Sequence, residues 1–173
     1  MPGYLVPTNT VDQSTTVGGY NILSAVNAGA VLQVVSFADN TSNSTSDSTN
    51  FKIYTQLSQS ITTSGNSKVY MLCSISAIQT STGQNVIFGK VDYNNTSTAT
   101  NDYTNLVGGA FHEYFNGGYS LNTMVMQGIT PTLSAGTYTF RPKIRPGATV
   151  NTQWNWHGYT EQRSTLTLME IAA

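Results

Sequence analysis

The sequence predicts an all-β fold, an antiparallel sandwich of about eight strands with jelly-roll character. Three observations lead there. Charged residues, which include the good helix formers Glu, Lys and Arg, are only 9% of the 173, while Thr, Val, Ile and Tyr are common, as strands prefer. No segment carries apolar residues at i, i+3, i+4 and i+7 with charge opposite. Short apolar or alternating runs recur between Gly, Asn and Ser clusters, at the roughly 8–12-residue turn spacing of a sandwich or jelly roll.

Residues 1–29 read as an extended arm, broken by Pro2, Pro7, Gly18, Gly19 and Gly29. A first strand is expected from Ala30 to Phe37. The polar tract from Asp39 to Asn50 reads as a surface loop. Its Asp39 and Asp47 lack the Asp-x-Asp-x-Asp-Gly ladder of a calcium loop. Phe51, Ile53, Thr55 and Leu57 then alternate toward Ile61, and Ser64-Gly65-Asn66 turns the chain into Lys68–Ile78. There Val69, Met71, Cys73, Ile75 and Ala77 point one way and Tyr70, Leu72, Ser74 and Ser76 the other. The two runs form a hairpin or a corner.

Val86–Tyr93 is the next strand, and residues 94–105 are a second polar tract. Residues 106–118 carry two Gly-Gly pairs and no clear period. Leu121–Ile129 and Thr137–Arg145 are strands, the second containing Pro142, which implies an edge or a bulge. Pro146-Gly147 is a turn. Val150, Thr152, Trp154 and Trp156 fall on one face of a further strand, and Glu161–Ile171 is the last. Residues 30–173 thus form one domain.

Composition narrows the function. Seven basic against eight acidic residues leave a net charge of −1, and Ser, Thr, Asn and Gln supply about 40% of the chain. Such a surface offers no counterion release to nucleic acid. Cys73 is the single cysteine, so no internal disulfide forms, and a small buried hydrophobe is expected there. The N-terminus has no basic or long apolar leader segment, and no apolar stretch approaches the roughly 18 residues of a membrane span. Synthesis in a cytoplasm, with no membrane partner, is expected. Sequons begin at Asn40, Asn43, Asn94 and Asn95, about the chance number for this composition, and no glycosylation is expected.

No catalytic constellation emerges. His112 and His157 are the two histidines, without a Gly-x-Ser-x-Gly elbow or a zinc-helix spacing. No enzyme activity, metal or cofactor is expected. The aromatic cluster Trp154, Trp156, His157 and Tyr159 is the candidate binding site: exposed rings could stack on a glycan or partner, whereas buried ones would fill the core or a subunit interface. Arg141, Lys143 and Arg145 place three of the seven cations on one alternation, facing either solvent or the acids of a neighbouring subunit.

Four segments carry a resemblance. They are Leu57-Ser58-Gln59-Ser60-Ile61-Thr62 with Ser67-Lys68-Val69-Tyr70-Met71; Gly117-Gly118-Tyr119 through Met126, followed by Pro131; Ser134-Ala135-Gly136-Thr137-Tyr138-Thr139-Phe140; and the ending Arg163-Ser164-Thr165-Leu166-Thr167-Leu168-Met169-Glu170-Ile171-Ala172-Ala173. With them, residues 30–173 resemble small virion proteins of tailed bacteriophages, whose C-terminal domains are tumour-necrosis-factor-like jelly rolls that usually trimerise. The terminal strand is the most specific of the four. The resemblance implies a non-enzymatic structural protein on the virion surface, either a capsid decoration or cement protein or a short spike or tail-fibre component.

No collagen-like or coiled-coil stalk precedes the domain, which favours a short particle-bound protein over a long fibre. Residues 1–29 would dock on a major capsid or tail protein. Leu166 and Leu168, with Met169 and Ile171 on the opposite alternation, make a strand apolar on both faces, the candidate trimer-interface strand. The alternative implied role is a host-receptor or glycan-binding module of a tail fibre, acting through residues 39–50, 94–105 or the tryptophan strand.

Overall fold

The structure is a computed structural model and describes residues 16–17, 20–21, 28–80, 85–95, 105–106, 111–115, 122–149, 151–155 and 163–173. Its strands are β1 (Thr16–Val17), β2 (Tyr20–Asn21), β3 (Val31–Asp39), β4 (Asn43–Thr45), β5 (Lys52–Ile53), β6 (Gln59–Thr63), β7 (Ser67–Thr80), β8 (Asn85–Asn95), β9 (Asn105–Leu106), β10 (Phe111–Phe115), β11 (Asn122–Ile129), β12 (Gly136–Pro146), β13 (Thr152–Trp154) and β14 (Ser164–Ala172). All pairings are antiparallel. Among the described residues β1 and β2 pair only with each other.

The other strands form two sheets. In the first, β3, β14, β7 and β11 lie side by side, with β4 and β13 extending the β3 and β14 positions. In the second, β9 and β10 share one edge of β8, β12 follows, and β5 and β6 share the far edge of β12. Alternation fills the space between them. Val69, Met71, Cys73 and Ile75 of β7, Leu166 and Leu168 of β14, and Phe140 and Ile144 of β12 all point into one core and are fully buried. Burying each such side chain contributes about 1.5–3 kcal/mol. The sheets approach closely at Gly89 of β8, where an added Cβ would lie 2.2 Å from Met124 Sδ.

Three expectations need correction. The tract from Asp39 to Asn50 is not loop throughout, because β4 pairs with β13 inside it. The alternation beginning at Phe51 is interrupted by a 3-10 turn, Thr55–Leu57, that separates β5 from β6. Pro142 lies in a central strand, not at an edge. Its carbonyl accepts from the Tyr54 amide, so its nitrogen faces the same side. There the neighbouring strand has left the sheet between Ile53 and Gln59, and no ladder bond is lost. The run after Ser64-Gly65-Asn66 is a corner: β6 pairs in the second sheet and β7 in the first.

Candidate functional site

Trp154 closes one end of the core. It is fully buried, its ring tilted 58° to that of Tyr54 at 5.8 Å, and so presents no face to a sugar. Trp156, His157 and Tyr159 lie outside the described residues, as do most of residues 1–29 and 96–104 of the second polar tract. The adjacent Asn155 is buried with φ +48°. Its side-chain amide donates to the Asp39 and Thr41 carbonyls at 3.0 and 3.3 Å and to the Tyr54 hydroxyl. Its side-chain carbonyl accepts from Ser164 at 2.7 Å. Tyr54 donates in turn to Asp39; burial and this carboxylate push its phenol far above the usual range. Asn155 thus ties the end of β3 to the start of β14, and its backbone amide donates to the Ser76 carbonyl within β7 at 3.0 Å. Cys73 is buried, and that burial pushes its thiol up.

In β14 the four residues named for an interface divide by alternation. Leu166 and Leu168 belong to the core; Met169 and Ile171 face outward and are partly buried. Outward residues of neighbouring strands lie directly opposite one another, so Val34, Met169, Tyr70 and Ile129 form a row across all four strands of the first sheet. Val34 is 56% and Ile129 51% exposed, and Val31 and Val125 flank the row with similar exposure. Hydroxyl and amide groups complete the face: Ser36 with Thr167 at 2.9 Å, and Tyr70 donating to Gln127 at 2.8 Å. Lys68, opposite Ile171, is the single charge among these outward strand residues.

The outer face of the second sheet is different. Arg141, Lys143 and Arg145 of β12 stand opposite Asp92, Lys90 and Phe88 of β8. Lys143 Nζ lies 2.7 Å and Lys90 Nζ 3.1 Å from the same Asp92 oxygen, Oδ2. Asp92 is 1% exposed, and these contacts are ionic, without aligned hydrogen bonds. The Arg145 guanidinium lies 4.3 Å from the Phe88 ring centroid and 5.1 Å from that of Phe51, which Lys90 also approaches at 4.9 Å. The alternation of Arg141, Lys143 and Arg145 is legible in the sequence; their union with Lys90, Asp92 and Phe51 depends on β12 lying between β8 and β5.

A further cluster surrounds Glu170, 1% exposed. It accepts from the Ser64 amide and hydroxyl at 2.8 and 2.9 Å, from Ser67 at 2.7 Å and from Gln33 at 2.6 Å. Burial raises its pKa, but the four donors outweigh burial and hold the carboxyl below the usual glutamate range. Among the described residues no three of His, Cys, Asp and Glu converge as metal ligands would. No protein-family model and no curated protein matches the chain.

Proposed function

We propose that the chain is a non-enzymatic structural protein of a bacteriophage particle, a jelly-roll homotrimer on the virion surface that docks through residues 1–29 as a decoration or cement protein, or as a short spike. The observation that carries the assembly half of this reading is the outer face of the first sheet. An apolar row runs across its four strands among hydroxyl and amide groups, and the face is nearly uncharged. Contiguous exposed apolar surface marks an interaction site. A face without charge meets copies of itself without like-charge repulsion, whereas the cationic face of the other sheet cannot.

The strand order supports the jelly-roll reading. Numbered by position along the chain, the eight strand positions run 1-8-3-6 in the first sheet and 2-7-4-5 in the second, the double Greek-key order of that fold. The virion assignment rests on the resemblance of the four segments ending in the terminal strand.

Light scattering at micromolar concentration is expected to give three times the 18.6 kDa chain mass; a monomer overturns the trimer. Deleting residues 1–29 is expected to leave a folded trimer that no longer enters particles. Retained incorporation would remove the arm from the docking role. Imaging particles with this protein labelled locates it on the capsid or the tail, and its absence from both overturns the virion assignment.

A further inference from the structure

The outer face of the second sheet holds charge that the described residues do not neutralise. Lys90 and Lys143 reach the same oxygen of one acid, Asp92, and among the described residues no acid pairs with Arg145, which stands opposite Phe88. Among the described residues Arg145 Nη1 donates only to carbonyl oxygens, that of Ser48 at 2.8 Å and that of Pro146 at 3.5 Å. A guanidinium has five N–H donors in a fixed fork, so Nε and Nη2 still hold donors for an oxyanion. Two aromatic rings, with centroids 4.3 and 5.1 Å from the guanidinium carbon, pack beside that fork.

These cations are partly withdrawn from water: the Lys143 side chain is 13% exposed and that of Lys90 28%. Positive charge stripped of part of its hydration and left in excess favours an anion beside it. The spacing is regular, because outward residues along β12 repeat every ~6.6 Å. Further along the same face the side chains become hydroxyls, with Ser60 paired to Thr139 at 2.7 Å and Thr62 to Thr137 at 2.9 Å. The Ser60–Thr139 pair keeps capacity for another hydrogen bond.

We propose that this face binds an acidic polysaccharide, one whose sugar units carry carboxylate or sulfate groups. Lys90, Lys143 and Arg145 take the anionic groups, and the hydroxyl rows take the sugar hydroxyls. An acidic protein fits less well. The centre of a protein interface is normally apolar, and here the rings of Phe51 and Phe88 are engaged by the cations. The proposal does not rest on the assembly reading, and a monomeric protein would bind in the same way.

The test is calorimetric titration of the full chain with polygalacturonate, with neutral dextran of similar length and with polyglutamate. Polygalacturonate is expected to bind, more weakly as salt rises, and dextran not to bind. Lys90→Gln and Arg145→Gln are each expected to weaken binding about tenfold, the scale of losing one charge-assisted contact. Lys68→Gln, on the other sheet, is expected to leave binding unchanged. Should Arg145→Gln not fold, Arg145→Lys keeps the charge and loses the fork, and an affinity loss there still supports the site. Equal binding of dextran, equal binding of polyglutamate, or unchanged binding by Lys90→Gln overturns the proposal.

Discussion

The Ser67 hydroxyl donates a 2.7 Å hydrogen bond to Glu170 Oε1, joining residues 103 apart in the chain. The same oxygen takes two bonds from Ser64, so the terminal strand pins the turn that carries the chain from one sheet to the other. Hydrogen bonds to a charged group contribute about 1.5–3 kcal/mol each at most, and a buried donor left without its partner costs about 1–3 kcal/mol. Glu170→Gln is therefore expected to destabilise the fold by roughly 2–3 kcal/mol in denaturant titrations at neutral pH.

The same group sets an acid limit. Its folded-state pKa lies below the ordinary value of 4.5. Its contribution is therefore complete above that value and is lost as pH falls through the depressed folded-state value. Wild-type stability is expected to decline through this window, with a smaller decline in Glu170→Gln. Parallel profiles for the two proteins would show that the carboxylate is not the group responsible.

The terminal motif drew attention in the sequence, but what Glu170 does there was not legible. Its donors come from Gln33, Ser64 and Ser67, brought to it only by sheet pairing. The β7 alternation was legible because a two-residue period between turns allows one arrangement of Val69, Met71, Cys73 and Ile75. β4 was not, because Asn43-Ser44-Thr45 has no apolar residue and owes its strand state to β13. Pro142 misled for a similar reason: the proline rule concerns its neighbour's hydrogen bonds, and the sequence does not say where that neighbour breaks. Trp154 was legible only as a choice between core and ligand, and its 5.8 Å contact with Tyr54 puts it in the core.

Asn155 makes the backbone and side-chain contributions at one site separable. It sits at φ +48°, where a Cβ costs about 1–2 kcal/mol and glycine sits freely. Asn155→Ala loses the hydrogen bonds and keeps the strain; Asn155→Gly loses the bonds alone. Both are expected to destabilise, with Gly the milder by about 1 kcal/mol. Equal losses in chemical denaturation would mean that the backbone there relaxes.

Trp154 offers a test of core packing. Its indole N–H has no hydrogen-bond partner among the described residues, so its contribution is that of a large apolar ring. Trp154→Ala is expected to cost roughly 3–5 kcal/mol, and Trp154→Phe distinctly less, since no hydrogen bond is forfeited. A Phe variant as unstable as the Ala variant would reveal a bond from the indole nitrogen.

Leu168 and Met169 are neighbours in β14 whose side chains leave on opposite faces. This alternation separates folding from assembly. Leu168 is fully buried in the core, so Leu168→Ala is expected to lower stability by about 2–5 kcal/mol. Met169 lies in the outward row between Val34 and Tyr70. Met169→Glu adds a charge there without touching the core. If the first sheet packs on copies of itself, that charge is desolvated in every copy and meets its own kind. The variant is then expected to keep its circular dichroism spectrum and sediment as a monomer. An intact oligomer of Met169→Glu would move the interface off this sheet. An unfolded protein would mean that β14 needs both faces for the fold itself, and Val34→Glu, on the edge strand of the same row, then decides between the two readings.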